Sequence, residues 1–547
     1  MRIVIIGGVA GGMSAAARLR RLSEETEIIV LDKGPYVSFA NCGLPYYLSG
    51  EIANREDLIV QSSKQLQKRF KIDVRTETTV TEINPDNHQI TAVHHGLSQI
   101  MRYDKLILSP GSVADKPNIP GMESADYVYA LRSIPDVDKI MAQLSQAPTR
   151  VAIIGAGSIG IEVAENLIKR GLSVMLIDAG SQVLPFMDPE MAALISHELS
   201  EHSVTLKLNT QIDKIDRHQL TLNDGSQIKA DLVISAVGVR PNTALAQAAG
   251  IKTGELGGII VDKHYQTSQP DVYAVGNAIL VKQLLTGQLV SIPLASPANR
   301  QGREVADVIM GLPRENRGGI GTAIVRAFDV AAAATGLNVA QLKRAGISYQ
   351  AVHTTGQNHA AFYPGGKPLS MKLLFEPQTG KLLGAQAVGK KSVDKQIDIL
   401  SVAIKSGMTV FDLPEFELSY APPFGSAKDP VNMIGYAASN LVEGLSDNLQ
   451  FDQLEGAIKD GAYLIDVRTP GELKRDGKLP GSTNIPLDDL RDHLAEIPKD
   501  RLIIVSCRSG QRSYLAERIL KNNGFKVKNL DGAFLVYSAA YPERIEH

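Results

Sequence analysis

Cysteine is almost missing from this chain: 547 residues contain only two, Cys42 and Cys507. No disulfide framework staples the fold, which excludes small disulfide-built scaffolds. Net charge is nearly absent as well. Lysine and arginine (57) almost balance aspartate and glutamate (59), for a formal charge of −2. That leaves no electrostatic footprint for nucleic acid or an anionic membrane surface, so neither is an expected partner. No apolar run approaches the roughly 20 residues that span a bilayer. The apolar start, Ile3 to Ile6, runs straight into a glycine turn and reads as a buried strand, not a targeting segment. A cytoplasmic location is the expectation. Short-period repeats and low-complexity tracts are missing too, and no residue set is assigned to a metal.

What is present is an ordinary globular composition, 44% apolar and 21% charged, at a length that calls for three or four domains. The pattern is α/β. Arg2 to Ile6 reads as a strand, Gly11 to Leu22 as a helix and Glu27 to Leu31 as a second strand. The same βαβ unit returns with strand Val151 to Ile154, helix Gly160 to Arg170 and strand Ser173 to Ile177. Two such units imply two nucleotide-binding domains. From about 321 to 440 a mixed α+β stretch follows, with a strand at Ser370 to Phe375 and a helix at Val393 to Ser406. A polar stretch from 443 to 450 reads as a linker, and beyond it a smaller α/β pattern begins with strands Tyr463 to Val467 and Leu502 to Ser506.

The first unit turns through Gly7-Gly8-Val9-Ala10-Gly11-Gly12. A dinucleotide fingerprint needs glycine for a tight turn, for close approach to a pyrophosphate and for helix packing. Val9 occupies the middle glycine position, so the match is imperfect, and close packing alone is the competing reading. Context supports binding, because acidic Asp32 ends the second strand, placed to accept from ribose hydroxyls. The second turn, Gly155-Ala156-Gly157-Ser158-Ile159-Gly160, matches in full and leads to Asp178. An acid there suits the free 2′-hydroxyl of NADH and repels the 2′-phosphate of NADPH.

Both turns, with Ser109-Pro110-Gly111, Ala236 to Asn242 and Asp271-Val272-Tyr273-Ala274-Val275-Gly276-Asn277, resemble the flavin disulfide reductase family over about residues 1 to 440. The resemblance implies an FAD-binding domain at 1–112 and 276–320, an NADH-binding domain at 113–275 and a dimerisation domain at 321–442, hence a homodimer. It assigns Gly7, Gly8, Ala10, Gly11, Gly12, Asp32, Lys33, Ser109, Gly111, Arg132, Gly276, Asn277 and Ala295 to FAD. Gly155, Gly157, Ser158, Ile159, Gly160, Asp178 and Gly238 fall to the nicotinamide nucleotide. Asn277 stands where the family usually has aspartate, and Ser158 where relatives often place an aromatic gate between nicotinamide and flavin.

Cys42 lies in Ser38-Phe39-Ala40-Asn41-Cys42-Gly43-Leu44-Pro45-Tyr46-Tyr47. Larger members of the family carry a second cysteine where Tyr47 stands, so no internal disulfide can form here. A lone cysteine stores oxidising equivalents as a sulfenic acid, a mixed disulfide or a persulfide. A flavin face and any helix N-terminus near Asn41 are expected to favour its thiolate. Members that use a sulfenic acid usually carry histidine at the position of Ala10, which argues against peroxide chemistry. The segment around Cys42 is instead similar to that of the coenzyme A disulfide reductases. That resemblance implies proton donors at Tyr363 and Tyr420, the latter reaching across the dimer, although core or interface tyrosines are the plain alternative. It also implies CoA contacts at Arg21, Ser38, Asn41 and Arg303. Arg18, Arg20, Arg21, Arg300 and Arg303 form the candidate cation cluster, against the plain reading of a solvated basic face.

Residues 451–547 resemble a rhodanese domain through Asp466-Val467-Arg468, Gly481 to Pro486, and Cys507-Arg508-Ser509-Gly510-Gln511-Arg512-Ser513. A loop of that kind turns backbone N–H groups toward an anionic sulfur, with Arg508 and Arg512 adding positive charge. It is one residue shorter than the related phosphatase loop, which suits a sulfane sulfur better than a phosphoryl group. The expectation is an FAD- and NADH-dependent reductase of CoA persulfide, polysulfide and CoA disulfide acting through Cys42, with Cys507 delivering sulfane sulfur to CoA. The alternatives are a CoA disulfide reductase with a sensory or docking rhodanese module, and a sulfur-trafficking protein whose flavin domain resets oxidised thiols.

Overall fold

The computed structural model describes every residue, Met1–His547, and divides the chain into two compact units. The first comprises Met1–Ala179 and Ser203–Gly321, the second Gly180–His202 and Thr322–His547.

The first unit holds two parallel five-stranded sheets. In one, Arg2–Ile6 lies between Glu27–Leu31 and Lys105–Leu108, with Asp73–Arg75 and Val272–Ala274 at the edges. Its central strands are buried on both faces, which is why Ile3, Val4 and Ile5 form an unbroken apolar run. The helix Ala10–Leu22 lies against a second helix, Ala295–Ile309, so tightly that a Cβ on Gly302 would stand 2.1 Å from the Gly11 carbonyl oxygen. In the other sheet Arg150–Ile154 is central, flanked by Ser173–Ile177 and Leu232–Ser235. Ligands of open parallel sheets bind where the carboxyl ends of such central strands meet their helices, and both glycine turns sit there.

The second unit contains an antiparallel sheet in the order Thr322–Ala327, Val330–Gly336, Leu382–Gly389, Pro368–Phe375, Gln350–Gln357. It also contains a parallel sheet in which Ile503–Ser506 lies between Val527–Leu530 and Tyr463–Asp466. The stretch from 443 to 450 between them is tied down. Glu517 accepts from Ser446 Oγ and the Asp447 backbone N–H, and the Asn448 and Gln450 side-chain amides both donate to the Ala351 carbonyl. Asn448–Leu449 adds a short edge strand to the parallel sheet.

The helix Pro189–Glu201 belongs to the second unit, and its N-terminus enters a buried ionic cluster. His353 donates its backbone N–H to Asp531 Oδ1 at 2.9 Å, and its ring bonds Asp531 Oδ2 at 2.7 Å and Glu190 Oε1 at 3.1 Å. Lys372 reaches Asp188 at 2.8 Å and also bonds Glu190. Nothing in the linear sequence brings these residues together. No helix of the chain is long and apolar enough to cross a membrane.

Candidate functional site

The two glycine turns are built alike. Gly7 has φ +100°, and a Cβ on it would stand 2.1 Å from the Ser109 carbonyl oxygen; Gly155 has φ +106°, with the Ala236 carbonyl oxygen at 2.4 Å. Each third glycine backs onto the first: a Cβ on Gly12 or Gly160 would come 1.9 Å from the carbonyl oxygen of Gly7 or Gly155. Each acid clamps its own turn. Asp32 Oδ2 accepts from the Gly8 N–H at 2.8 Å, and Asp178 Oδ2 accepts from the Ala156 N–H at 2.6 Å. The Gly34 N–H occupies Asp32 Oδ1. Burial raises the Asp32 carboxyl above its usual range, against those two backbone bonds. Both acids therefore hold their turns through backbone N–H groups. Gly157 and Gly111 have nothing within 4 Å of a Cβ, and Lys33 and Ala295 are exposed.

Of the predicted residues, Ser109, Ser38 and Gly276 meet the first turn, whereas Asn41, Arg132 and Gly238 make their contacts elsewhere in the first unit. Ser109 donates its backbone N–H to Ile6, and its Oγ would stand 2.9 Å from a Cβ on Gly11 and 3.6 Å from one on Gly276. Ser38, held at φ +49°, donates its N–H to the Gly8 carbonyl at 2.8 Å. Asn41 Nδ2 donates to the Arg132 carbonyl at 3.3 Å, and Arg132 Nη2 donates to Ser112 Oγ at 2.7 Å. Burial lowers the Arg132 pKa. Gly238, at φ +116°, accepts from the Asp115 N–H.

Cys42 is exposed in a single 3-10 turn, Asn41–Gly43, which feeds the helix Leu44–Ser49. The expected help from a helix N-terminus near Asn41 is corrected here. The helix starts two residues past the sulfur, and the protein alone pushes the thiol up, first by the atoms crowding it and then by the Glu162 carboxylate. Tyr46 OH donates to that same Glu162 at 3.2 Å, so the Cys42 segment lies against the helix Ser158–Lys169. Glu162 escaped sequence reasoning, since only packing brings it to Cys42.

The arginine cluster also needs correcting. Arg20 is buried and spends its guanidinium on the carbonyls of Phe70, Ser23, Glu24, Thr26 and Lys71. Arg18 pairs with buried Asp307 at 2.6 Å, and Arg300 donates to the Gly318 carbonyl. These three are committed to the fold, whereas Arg21 and Arg303 are exposed.

In the second unit, Tyr363 and Tyr420 are 41% and 47% exposed on loops joined by the bond from the Ala360 N–H to the Gly425 carbonyl. The His359 ring stands edge-on to Tyr363. Neither tyrosine is a core residue.

Cys507 ends the strand Ile503–Ser506 and is buried. Its sulfur accepts the Gly510 N–H at 3.1 Å and the Ser513 hydroxyl at 3.4 Å, directly before the helix Gln511–Asn522. Beneath the loop, Arg468 and Asp466 form a buried fork, Nη2 to Oδ2 at 2.7 Å, with the guanidinium over the Phe534 ring. The two loop arginines do not stand as unneutralised charge. Arg512 pairs through both Nη atoms with Glu472 at 2.6 and 2.8 Å, and Arg508 Nη1 meets Asp476 at 3.1 Å. Sequence reasoning missed Glu472 and Asp476; the capping-box spacing Thr469-x-x-Glu472 could have marked the helix Pro470–Asp476, but not its bearing on the cysteine.

Three family models match the chain: pyridine nucleotide-disulphide oxidoreductase over residues 1–302, the dimerisation domain of that family over 322–429, and a rhodanese-like domain over 450–540. The chain belongs to the pyridine nucleotide-disulphide oxidoreductase family. It is 35% identical over 441 residues to the coenzyme A disulfide reductase of Staphylococcus epidermidis, covering 80% of this chain and 99% of that protein. Reduced Bacillus anthracis CoADR-RHD superposes with TM-score 0.98 at 46% identity, over 100% of this chain and 99% of that one. The NAD-dependent persulfide reductase from A. fulgidus does so with TM-score 0.93 at 37% identity, over 98% and 100%.

As a pyridine nucleotide-disulphide oxidoreductase, the chain implies FAD and a nicotinamide dinucleotide, and its residues fit both. Gly157 leaves the second turn open to a close-lying pyrophosphate. Asn277 Oδ1 is buried without a protein partner, an acceptor left for a ligand hydroxyl, so asparagine in place of the usual aspartate still offers the oxygen.

Proposed function

We propose that this protein is an FAD- and NADH-dependent reductase of CoA persulfide, polysulfide and CoA disulfide, with Cys42 as its single redox cysteine and Cys507 as the sulfur acceptor that supplies CoA. One observation carries the reading: the chain's only two thiols lie in two separately built sites. Cys42 is exposed in the segment that Ser38 ties to the Gly8 carbonyl, with Tyr47 where a partner cysteine would stand, and Cys507 is cradled by an N–H and a hydroxyl.

FAD, when bound, passes two electrons from NADH to sulfur. The rest belongs to the chain. Asp178, clamped to its turn, selects the 2′-hydroxyl of NADH. The Cys42 thiolate attacks CoA persulfide at one of its two sulfurs, releasing hydrosulfide with a mixed disulfide, or CoA thiolate with a Cys42 persulfide. Arg21, Arg303, Ser38 and Asn41 are the proposed CoA contacts. Tyr363 and Tyr420 are the proposed proton donors to the departing thiolate, the second reaching across a homodimer. Cys507 takes a sulfane sulfur from a donor and hands it to CoA, which carries it to Cys42.

A second reading has its own support: the S. epidermidis coenzyme A disulfide reductase aligns over 99% of its length without needing the last fifth of this chain. The reductase would then work alone, the rhodanese module serving as a sensor or docking element. Stopped-flow mixing of NADH-reduced enzyme with CoA persulfide, CoA disulfide, polysulfide or peroxide separates the two. The first reading expects fastest reoxidation by CoA persulfide; faster reoxidation by the disulfide favours the second. Cys507→Ser should abolish CoA-dependent polysulfide use and spare CoA persulfide reduction. If polysulfide use survives that change, Cys507 is not on the catalytic path.

A further inference from the structure

The acids that meet the Cys507 loop arginines are spaced to match them. Glu472 and Asp476 lie four residues apart on the helix Pro470–Asp476, and so share a face. Arg508 and Arg512 are also four apart, one on the loop and one on the first turn of the following helix. The contacts run in register, Glu472 to Arg512 and Asp476 to Arg508. The first is a fork-to-fork pair in which both Nη atoms of Arg512 are engaged. Glu472 is held in turn by the Thr469 hydroxyl and backbone N–H, so its position is set from both sides.

Sulfane-sulfur donors divide into two chemical classes. Thiosulfate is a dianion whose three sulfonate oxygens call for a cationic donor fork, the feature in which guanidinium excels. A persulfide or polysulfide chain has no oxygens, and asks only for room and for N–H donors near sulfur. The Cys507 loop supplies the second set, through the Gly510 N–H and the Ser513 hydroxyl. Its Arg512 fork is already engaged by Glu472, and Arg508 is drawn to Asp476 through one Nη.

We propose that Glu472 and Asp476, by holding Arg512 and Arg508, make the Cys507 loop selective for persulfide and polysulfide donors over sulfonate-bearing donors such as thiosulfate. The proposal rests on the sulfur-accepting role of Cys507 given above. With a persulfide, the Cys507 thiolate bonds to the terminal sulfur, the donor S–S bond breaks, and its electron pair leaves as the donor thiolate while the proton stays on the new Cys507 persulfide. With thiosulfate, the same attack expels sulfite, whose two negative charges need the cationic fork. Neither route needs an outside oxidant or reductant.

The test uses the full-length holoenzyme and measures sulfur transfer to cyanide from thiosulfate and, separately, from glutathione persulfide. Wild type should use the persulfide far better. Glu472→Gln keeps a capping-box oxygen for Thr469 but releases Arg512. It should raise kcat/KM for thiosulfate at least about tenfold, the factor that one charge-assisted hydrogen bond carries. The persulfide value should stay within about threefold by the same scale. Asp476→Asn should act in the same direction with a smaller effect, since Asp476 is also engaged by Arg475 through both oxygens and meets Arg508 through one half-exposed contact. Adding Arg512→Gln to Glu472→Gln should return thiosulfate use to the wild-type level.

Unchanged thiosulfate use in a folded Glu472→Gln protein overturns the proposal. So does an equal rise for both donors, or an equal loss, which would mark Glu472 as only structural. Mass spectrometry of Cys507 keeps the two readings apart: wild type that gains no sulfur from either donor refutes the acceptor role itself. Wild type that gains sulfur equally well from both refutes only the selectivity.

Discussion

At the scale of single residues, Cys42 presents a difficulty that its neighbours define. Its thiol is pushed up by the crowding atoms and then by Glu162, so at neutral pH the protein opposes the thiolate that the proposed attack on sulfur needs. A carboxylate near a thiol acts on one side only: it disfavours a second negative charge. Glu162→Gln keeps an oxygen for the Tyr46 hydroxyl and removes the charge. Alkylation of Cys42 in the oxidant-free enzyme at pH 7 should therefore run several-fold faster in Glu162→Gln, with its pH profile displaced to lower pH. An unmoved profile would show that the crowding atoms alone set the thiol. Cys42 stood out as a candidate because Ser38 to Tyr47 is a contiguous segment directly after a βαβ unit. Glu162 was not, because it reaches the cysteine from a helix 120 positions on, and only packing reveals it. Arg20 was misread for a related reason. A basic residue looks alike in sequence whether it faces a ligand or five backbone carbonyls.

At the scale of elements, strands and turns followed local rules and were legible almost to the residue. Arg2–Ile6, Glu27–Leu31 and Ser173–Ile177 coincide with their expected bounds, because a short apolar run bounded by a glycine turn or an acid leaves few other readings. The charged contacts between elements were invisible. His353 meets Asp531 across 178 positions and Glu190 across 163, and no pattern of period 2 or 3.6 encodes such a meeting. Burial by itself would lower the His353 pKa, but Asp531 and then Glu190 raise it to about 9. In Glu190, burial is outweighed by the His353 bond and the Lys372 charge, leaving its carboxyl at about 2. The raised histidine contributes stability that is full below its unfolded value near 6.5 and is lost as pH rises through about 9. The depressed carboxyl contributes above its ordinary 4.5 and fails as pH falls through about 2. Hydrogen exchange at Val527–Leu530 should accordingly quicken between pH 7 and pH 9.5, beyond the intrinsic rate. In His353→Ala that extra pH dependence should vanish, and the second unit should lose about 3–5 kcal/mol, the cost of stranding a buried carboxylate. A pH response that persists in the alanine variant would assign it elsewhere.

At the scale of the whole molecule, the C-terminal module is more than an appended domain. The stretch from 443 to 450 has the composition of a linker, yet Asn448 and Gln450 are bonded to the Ala351 carbonyl, and Gln450 also reaches Asp531. The strand Gln350–Gln357 thus depends on the C-terminal module for the partner of its buried histidine. A stand-alone relative such as the S. epidermidis enzyme spans the reductase portion with no such module. Cutting this chain after Val442 would remove Asp531 and leave His353 facing Glu190 with its backbone N–H unpaired, next to Lys372. Truncation should therefore lower the unfolding midpoint of the dimerisation sheet by several degrees, as expected for a few kcal/mol in a domain of this size. Asp531→Asn in the full chain should reproduce part of that loss. Thermal unfolding of the three proteins at pH 7 decides it. Equal midpoints would mean that the module is tethered rather than integrated, and that CoA would have to carry sulfur between bodies free to move.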